Sequence, residues 1–324
     1  MTNANEQILQ FVDLNVSYGS VQTVRDLTLS IGRGEIVGLV GESGSGKSTV
    51  LRSAVGLLHR LGHVTSGAIV YQGKDITHDS QEELTALRGS GMSYIFQDPT
   101  ASLDPLYTIK SQFDECILAH RQLEPHIIQQ LELELLDDMG FDDPERILAS
   151  YPHELSGGMC QRVVIALGLA CDPTLLLADE PTSALDVVVQ AEVLDALLEV
   201  RATRNVAILI VSHNMGAIAK TADRIGVMYH GTLVEEGTAR EVLEHPFHPY
   251  TRQLIQAIPH IDGSLPVPPK RGELAFEEGS CVYAHNCPCP CEECGASAPR
   301  WTELSGTHRA LCRTDRPVER GEGV

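Results

Sequence analysis

The stretch Gly41-Glu42-Ser43-Gly44-Ser45-Gly46-Lys47-Ser48-Thr49 constrains this chain more than any other, because its glycine, Lys and Ser/Thr spacing is that of a loop wrapped around a nucleotide's phosphates. Ahead of it, Glu35 to Val40 supplies an apolar run suited to a buried parallel strand; behind it, Val50 to Leu58 repeats apolar residues at helical spacing. Strand, loop and helix form the context the motif requires. Glycines at 41, 44 and 46 permit positive φ, so successive backbone N–H groups converge on phosphate oxygens while the helix N-terminus adds partial positive charge. Lys47 is expected to reach the β- and γ-phosphates, and the Ser48 hydroxyl to ligate Mg²⁺.

Residues 8–32 alternate apolar and polar positions and predict antiparallel strands leading into the phosphate-loop strand. Tyr18, at the end of one of them, is placed to offer a flat ring to an adenine, with packing as the alternative. Ser93-Tyr94-Ile95-Phe96 reads as a strand stopped by Pro99, leaving Gln97 at its end to reach a metal or water, or to cap. From Leu103 to about Leu148 the pattern turns helical, with Ile127, Leu131, Leu135 and Met139 assigned to one face of an inserted helical subdomain. Ser156 then caps an apolar helix whose first residues, Gly157 and Gly158, leave N–H groups uncovered. Two helix-start anion sites against one phosphate loop suggest a dimer in which each subunit closes the other's nucleotide.

Leu175 to Ala178 is an apolar strand ending in Asp179 and Glu180. Beside a phosphate loop, Asp179 is expected to hold Mg²⁺, and Glu180 to orient or deprotonate the attacking water. Ser183-Ala184-Leu185-Asp186 follows as a turn, then a helix from Gln190 to Val200. A last buried strand, Val206 to Val211, ends at His213, where an imidazole can sense a γ-phosphate.

Composition narrows the class. With 44 acidic against 24 basic residues, the net charge of -20 argues against a nucleic-acid surface, which needs clustered Lys and Arg. Met1 to Gln7 is polar, so no signal peptide is expected, and no apolar run is long enough to cross a bilayer. The chain is therefore expected in the cytoplasm, meeting a membrane only through a partner. Its nine cysteines then read as thiols or metal ligands, and six of them crowd between Cys281 and Cys312.

In this order the motifs resemble the ATP-binding subunits of ABC transporters. Gly41 to Thr49 resembles the Walker A, Gln97 the Q-loop, Leu155 to Gln161 the signature, Leu176 to Glu180 the Walker B, Ser183 to Asp186 the D-loop and His213 the switch histidine. Phe96-Gln97-Asp98-Pro99, Ser102-Leu103-Asp104-Pro105, Ala178 to Leu185 and His248-Pro249-Tyr250-Thr251 are similar to the dipeptide, oligopeptide and nickel importer branch. Departures are Cys160, where a basic residue is usual, and Asn214, where an acid is common.

The resemblance implies an α/β fold: a P-loop NTPase core of RecA type with an antiparallel β subdomain, an inserted helical subdomain at about 98–165 and a small cysteine-rich region. It implies a nucleotide-binding domain over 1–258 and a tail over 259–324. ATP contacts fall to Tyr18, to Gly41, Glu42, Ser43, Gly44, Ser45, Gly46, Lys47, Ser48 and Thr49, and, across the dimer, to Ser156, Gly157, Gly158 and Asp186. Mg²⁺ falls to Ser48, Gln97 and Asp179; catalysis falls to Glu180, His213 and Gln97. The implied partners are a second, paralogous ATPase, two transmembrane permeases and, indirectly, an extracytoplasmic solute-binding protein. The implied place is the cytoplasmic face of the membrane, and the implied role is ATP hydrolysis that drives uptake of di- and oligopeptides. Nickel or another small solute is the alternative cargo. A soluble ATPase of DNA repair or translation is the alternative class, opposed by the acidic charge and the single cassette.

Residues 259–269 form a proline-punctuated linker. Beyond it, Cys281, Cys287, Cys294 and Cys312 have a spacing that resembles a [4Fe-4S] segment of some dipeptide permease ATPases. Zn²⁺ on the same thiolates is the alternative, a disordered thiol-rich tail the other, and Cys289 and Cys291 are further candidate ligands. The loops between these cysteines were expected to lack any core but the metal. Residues 314–324 are expected to be loose.

Overall fold

A computed structural model of the chain describes residues 7–183, 185–257, 279–288, 294 and 297–312. It begins with β1 (Gln7–Tyr18), β2 (Val21–Gly32) and β3 (Ile36–Val40), then the phosphate loop and α1 (Lys47–Ala54). β4 (Gly62–Tyr71), β5 (Lys74–Asp75) and α2 (Gln81–Leu87) lead to β6 (Met92–Ile95). A helical stretch follows: α3 (Pro99–Ser102), α4 (Ile109–His120), α5 (Pro125–Asp138), α6 (Pro144–Ala149) and α7 (Gly157–Leu169). Then come β7 (Leu175–Asp179), α8 (Val187–Arg204), β8 (Ala207–Ser212), α9 (Met215–Thr221) and β9 (Arg224–Tyr229). β10 (Thr232–Thr238), α10 (Ala239–Glu244), α11 (Pro249–Gln256) and a late hairpin, β11 (Trp301–Glu303) and β12 (Arg309–Leu311), complete it.

The strands form one mixed sheet in the order β5-β4-β1-β2-β10-β9-β3-β8-β7-β6. β1, β2 and β4 are antiparallel, as their alternation predicts, and bury Phe11, Leu14, Val16, Leu27, Leu29 and Ile31 on one side. β9, β3, β8, β7 and β6 are parallel neighbours. These inner strands are covered on both faces, which is why they are apolar without alternation. Ile36, Leu176, Ala178, Ile208 and Ile210 face the core shared with the helical layer. Val37, Leu39, Leu175, Leu177, Leu209 and Val211 face the core shared with α1 and the antiparallel strands.

Two helices differ from their sequence reading. The buried stripe of α5 is Ile128, Leu135 and Leu136, with Leu131 partly buried; Ile127 is exposed. Ile128, Leu135, Leu136 and Met139 keep helical spacing on one face, and that face carries Glu132 inside, where its carboxylate accepts from Lys110 of α4 at 3.1 Å. α8 starts at Val187 rather than Gln190, because the Asp186 carboxylate caps the N–H groups of Val188 and Val189.

The tail has a core of its own making. β12 pairs antiparallel with β10, Arg309 bridges Glu236 at 2.7 Å and the Thr28 carbonyl at 3.0 Å, and Tyr283 is 3% exposed within the main core cluster. The expectation that metal alone could organise this region is therefore corrected: an aromatic anchor and two added strands hold it. The linker 259–269, Cys289, Cys291, Ala184 and residues 314–324 lie outside the described residues. Among the described residues, no helix is long and apolar enough to cross a membrane.

Candidate active site

Four of the parallel strands deliver their groups to the same carboxyl edge, where ligands of open α/β sheets bind. β3 runs into the phosphate loop, β6 toward Gln97, β7 into Asp179 and Glu180, and β8 toward His213. The loop closes only with glycine at 46: φ there is 97°, and a Cβ would lie 2.7 Å from the Thr23 carbonyl oxygen. Lys47 follows, 4% exposed, its Nζ donating to the carbonyls of Gly41 and Glu42 at 2.8 Å each. Burial lowers its pKa, opposed by the carboxylates of Glu180, Asp179 and Glu42, which favour the charged form.

Asp179 is 2% exposed and accepts two hydroxyl hydrogen bonds, from Ser48 Oγ at 2.6 Å and from the Tyr94 phenol at 2.7 Å. Arg52 of α1 lies 3.7 Å from the same carboxylate. Burial and the Asp179 charge push the Tyr94 phenol above its ordinary range, so it stays a donor. Ser48 and Asp179 are hard oxygen donors in contact, a pair that fits Mg²⁺. Glu180 Oε2 accepts from Gln97 Nε2 at 3.1 Å and lies 3.0 Å from His213 Nδ1.

Together these groups border a cleft of about 470 Å³ lined by Thr23, Ser43, Gly44, Gly46, Lys47, Ser48, Thr49, Gln97, Glu180 and His213. Gly41, Glu42 and Ser45 form the back of the loop, and Asp179 lies beneath Ser48. Gln97 meets Glu180 directly. Tyr18 lies at the end of β1, paired with Val21 and Gly62, and is not among the residues lining the cleft.

Ser156, Gly157, Gly158 and Asp186 are likewise not among them. Ser156 Oγ caps α7 by accepting from Met159 N–H at 3.2 Å, leaving Ser156 and Gly157 exposed. Gly158 has a second reason to be glycine: a Cβ would sit 2.2 Å from Val189 Cγ1 where α7 meets α8. The capped start of α7 and the phosphate-loop cleft are thus separate surfaces of the chain.

In the tail, Cys281 N–H donates to the Cys294 carbonyl at 2.9 Å. Among the described residues, no three His, Cys, Asp or Glu side chains converge as a metal site. Sequence reasoning missed Tyr94, Arg52 and Tyr250, whose phenol oxygen accepts the Glu42 N–H at 3.0 Å.

Residues 24–183 match the family described as ABC transporter, and residues 234–294 match the oligopeptide/dipeptide transporter C-terminal region. The chain is 37% identical over 316 residues to the dipeptide transport ATP-binding protein DppD of Bacillus subtilis (strain 168), covering 95% of this chain and 94% of the relative. It is 37% identical over 320 residues to DppD of Escherichia coli (strain K12), covering 96% of both. Among solved structures, a dimeric ATP-binding cassette in a post-hydrolysis state with ADP and Pi aligns with a TM-score of 0.64 and 26% identity, over 72% of this chain and 99% of that one. The cbiO1 protein of Clostridium perfringens, part of an ABC transporter complex, aligns with a TM-score of 0.66 and 27% identity, over 74% and 92%.

Fold and cleft define a P-loop ATPase of the ATP-binding-cassette class. With relatives alike over nearly its whole length, the chain belongs to the ABC transporter family and carries the C-terminal region of the oligopeptide/dipeptide transporters.

Proposed function

We propose that this chain hydrolyses ATP to drive an importer of di- and oligopeptides. One observation carries the reading: the loop that grips phosphate and the acids suited to hydrolysis meet in one cleft, while the capped start of α7 stands exposed outside it. ATP held by the loop N–H groups and Lys47 is completed by Ser156, Gly157, Gly158 and Asp186 of a second, paralogous ATPase subunit, with Tyr18 against the adenine. Mg²⁺, held by Ser48 and Asp179 with Gln97 alongside, supplies charge neutralisation at the phosphates. Glu180 accepts the proton of the attacking water, and Gln97 and His213, both against its Oε2, hold that carboxylate toward the cleft.

Two permease subunits dock near Gln97 and the helical subdomain at about 98–165, so the chain works on the cytoplasmic face of the membrane, with an extracytoplasmic binding protein supplying peptide. Residues 1–258 form the nucleotide-binding domain and 259–324 the tail. The test is peptide uptake and Mg²⁺-dependent ATP turnover by the assembled complex. Glu180→Gln is expected to lower turnover about 10²- to 10⁴-fold and leave ATP binding intact; undiminished turnover rejects the assignment.

The finer reading of the tail is a [4Fe-4S] cluster on Cys281, Cys287, Cys294 and Cys312, supported by their spacing and by the Cys281–Cys294 backbone contact. Anaerobically purified protein is then brown, with visible absorption lost in Cys281→Ser. A colourless protein containing zinc assigns the thiolates to Zn²⁺ instead.

A further inference from the structure

The segment His248-Pro249-Tyr250-Thr251 stands out in the sequence, and the hydrolytic machinery does not use it. His248 Nδ1 accepts the Tyr250 N–H at 3.1 Å, Pro249 takes the first turn of α11, and Tyr250 is carried into the interior, 1% exposed. There its phenol oxygen accepts the Glu42 N–H at 3.0 Å. That N–H belongs to the Gly41–Glu42 peptide, whose carbonyl accepts Lys47 Nζ at 2.8 Å. One peptide plane is thus clamped from both sides, by the phosphate-binding lysine and by a tyrosine more than 200 residues away. Rotating that plane moves the seat of the lysine.

Tyr250 is itself held by rings. Its centroid lies 4.6 Å from that of Tyr229 and 5.7 Å from that of Tyr283, and Tyr229 meets Tyr283 edge-on at 5.1 Å. Tyr283 sits between Cys281 and Cys287 in the tail, and its hydroxyl donates to Gln253 of α11 at 2.7 Å. Asn286 of the same segment donates to the Tyr229 hydroxyl at 2.8 Å. A continuous aromatic contact therefore joins the cysteine-bearing segment to the back of the phosphate loop.

We propose that Tyr250 is a positioning residue for ATP binding, and that the Tyr229–Tyr250–Tyr283 cluster makes the loop's grip on ATP depend on docking of the cysteine-bearing segment. The proposal rests on the loop being the ATP site. Tyr250→Phe keeps the ring and removes the acceptor, leaving a buried N–H unpaired. In the full chain it is expected to weaken binding of mant-ATP about three- to tenfold, and in the assembled complex to raise KM for ATP alike with kcat within about twofold. Tyr283→Leu, which loosens the ring cluster without touching the loop, is expected to weaken mant-ATP binding in the same direction. Gln253→Leu, which removes the partner of the Tyr283 hydroxyl but keeps the rings, is expected to weaken binding in the same direction and by less than Tyr283→Leu does.

A Tyr250→Phe protein that melts and binds mant-ATP as wild type does overturns the positioning role, as does a loss that falls on kcat alone. Unchanged binding in Tyr283→Leu overturns the coupling to the tail. A wild-type chain that binds no mant-ATP overturns the ATP-site reading itself and takes this proposal with it.

Discussion

Asp179 accepts hydrogen bonds from two hydroxyls, one of which, Ser48, was visible in the loop motif, while the other, Tyr94, was not. The reason is register. Tyr94 pairs with Leu177 in the parallel ladder, so Tyr94, Leu177 and Asp179 share the face toward α1, where Arg52 also lies. Strands joined across some eighty residues carry no local signal of that pairing, whereas the phosphate loop is contiguous and reads directly. Tyr94→Phe tests what the second hydroxyl does: the half-maximal Mg²⁺ concentration for ATP turnover is expected to rise about fivefold, since one hydrogen bond to a charged carboxylate is lost. A Mg²⁺ titration superimposable on wild type assigns the phenol to packing alone. Glu180 was legible as an acid at a strand end; its backbone was not, for it holds φ 50°, a region costly to side chains and met at working sites.

Elements were easier to see than their ends and faces. The helical stretch after Gln97 is present where the sequence puts it, yet α5 buries Ile128 and not Ile127, because Ile128 completes the stripe of Leu135, Leu136 and Met139 and Ile127 lies beside it. α11 illustrates a cap with a pH signature. Its His248 is fully buried, and burial pushes the imidazole down to about 4 against the pull of the Glu235 carboxylate. The folded form therefore binds fewer protons than the unfolded form between that value and the ordinary imidazole value of 6.5, so stability is complete above about pH 6.5 and declines as pH falls toward 4. At about pH 5 this one group is expected to cost on the order of 2 kcal/mol. His248→Asn keeps an acceptor at the cap without the titration. Urea midpoints near pH 7 and pH 5 are expected to converge for that variant and diverge for wild type; equal pH sensitivity in both removes His248 as the source.

At the scale of the whole molecule, the capped start of α7 lies outside the cleft that the phosphate loop lines, and the proposed shared site depends on that separation. Ser156 lies outside the cleft that Lys47 lines, so damage at Ser156 is expected to be felt at the partner's nucleotide. Ser156→Arg should leave mant-ATP binding by the isolated chain unchanged and reduce turnover of the assembled complex at least about tenfold. If binding by the isolated chain falls as far as turnover does, the signature acts within its own subunit and the shared-site arrangement is wrong. The cap at Ser156 was readable from the sequence alone. The docking of the tail was not, because it depends on β10, whose outer flank is filled by strands made some seventy residues later.

That late strand has a consequence for how the protein comes into being. Glu235 is fully buried, and it receives the N–H groups of Phe247 and His248 and the His308 imidazole at 2.8 Å. Until the hairpin emerges from the ribosome, this carboxylate and the flank of β10 lie open to water and to any exposed strand nearby. A nascent chain halted short of that point already has every residue that lines the cleft but lacks the strands that cover β10. Such an interrupted product is marked by an open sheet edge that chaperones and proteases can find.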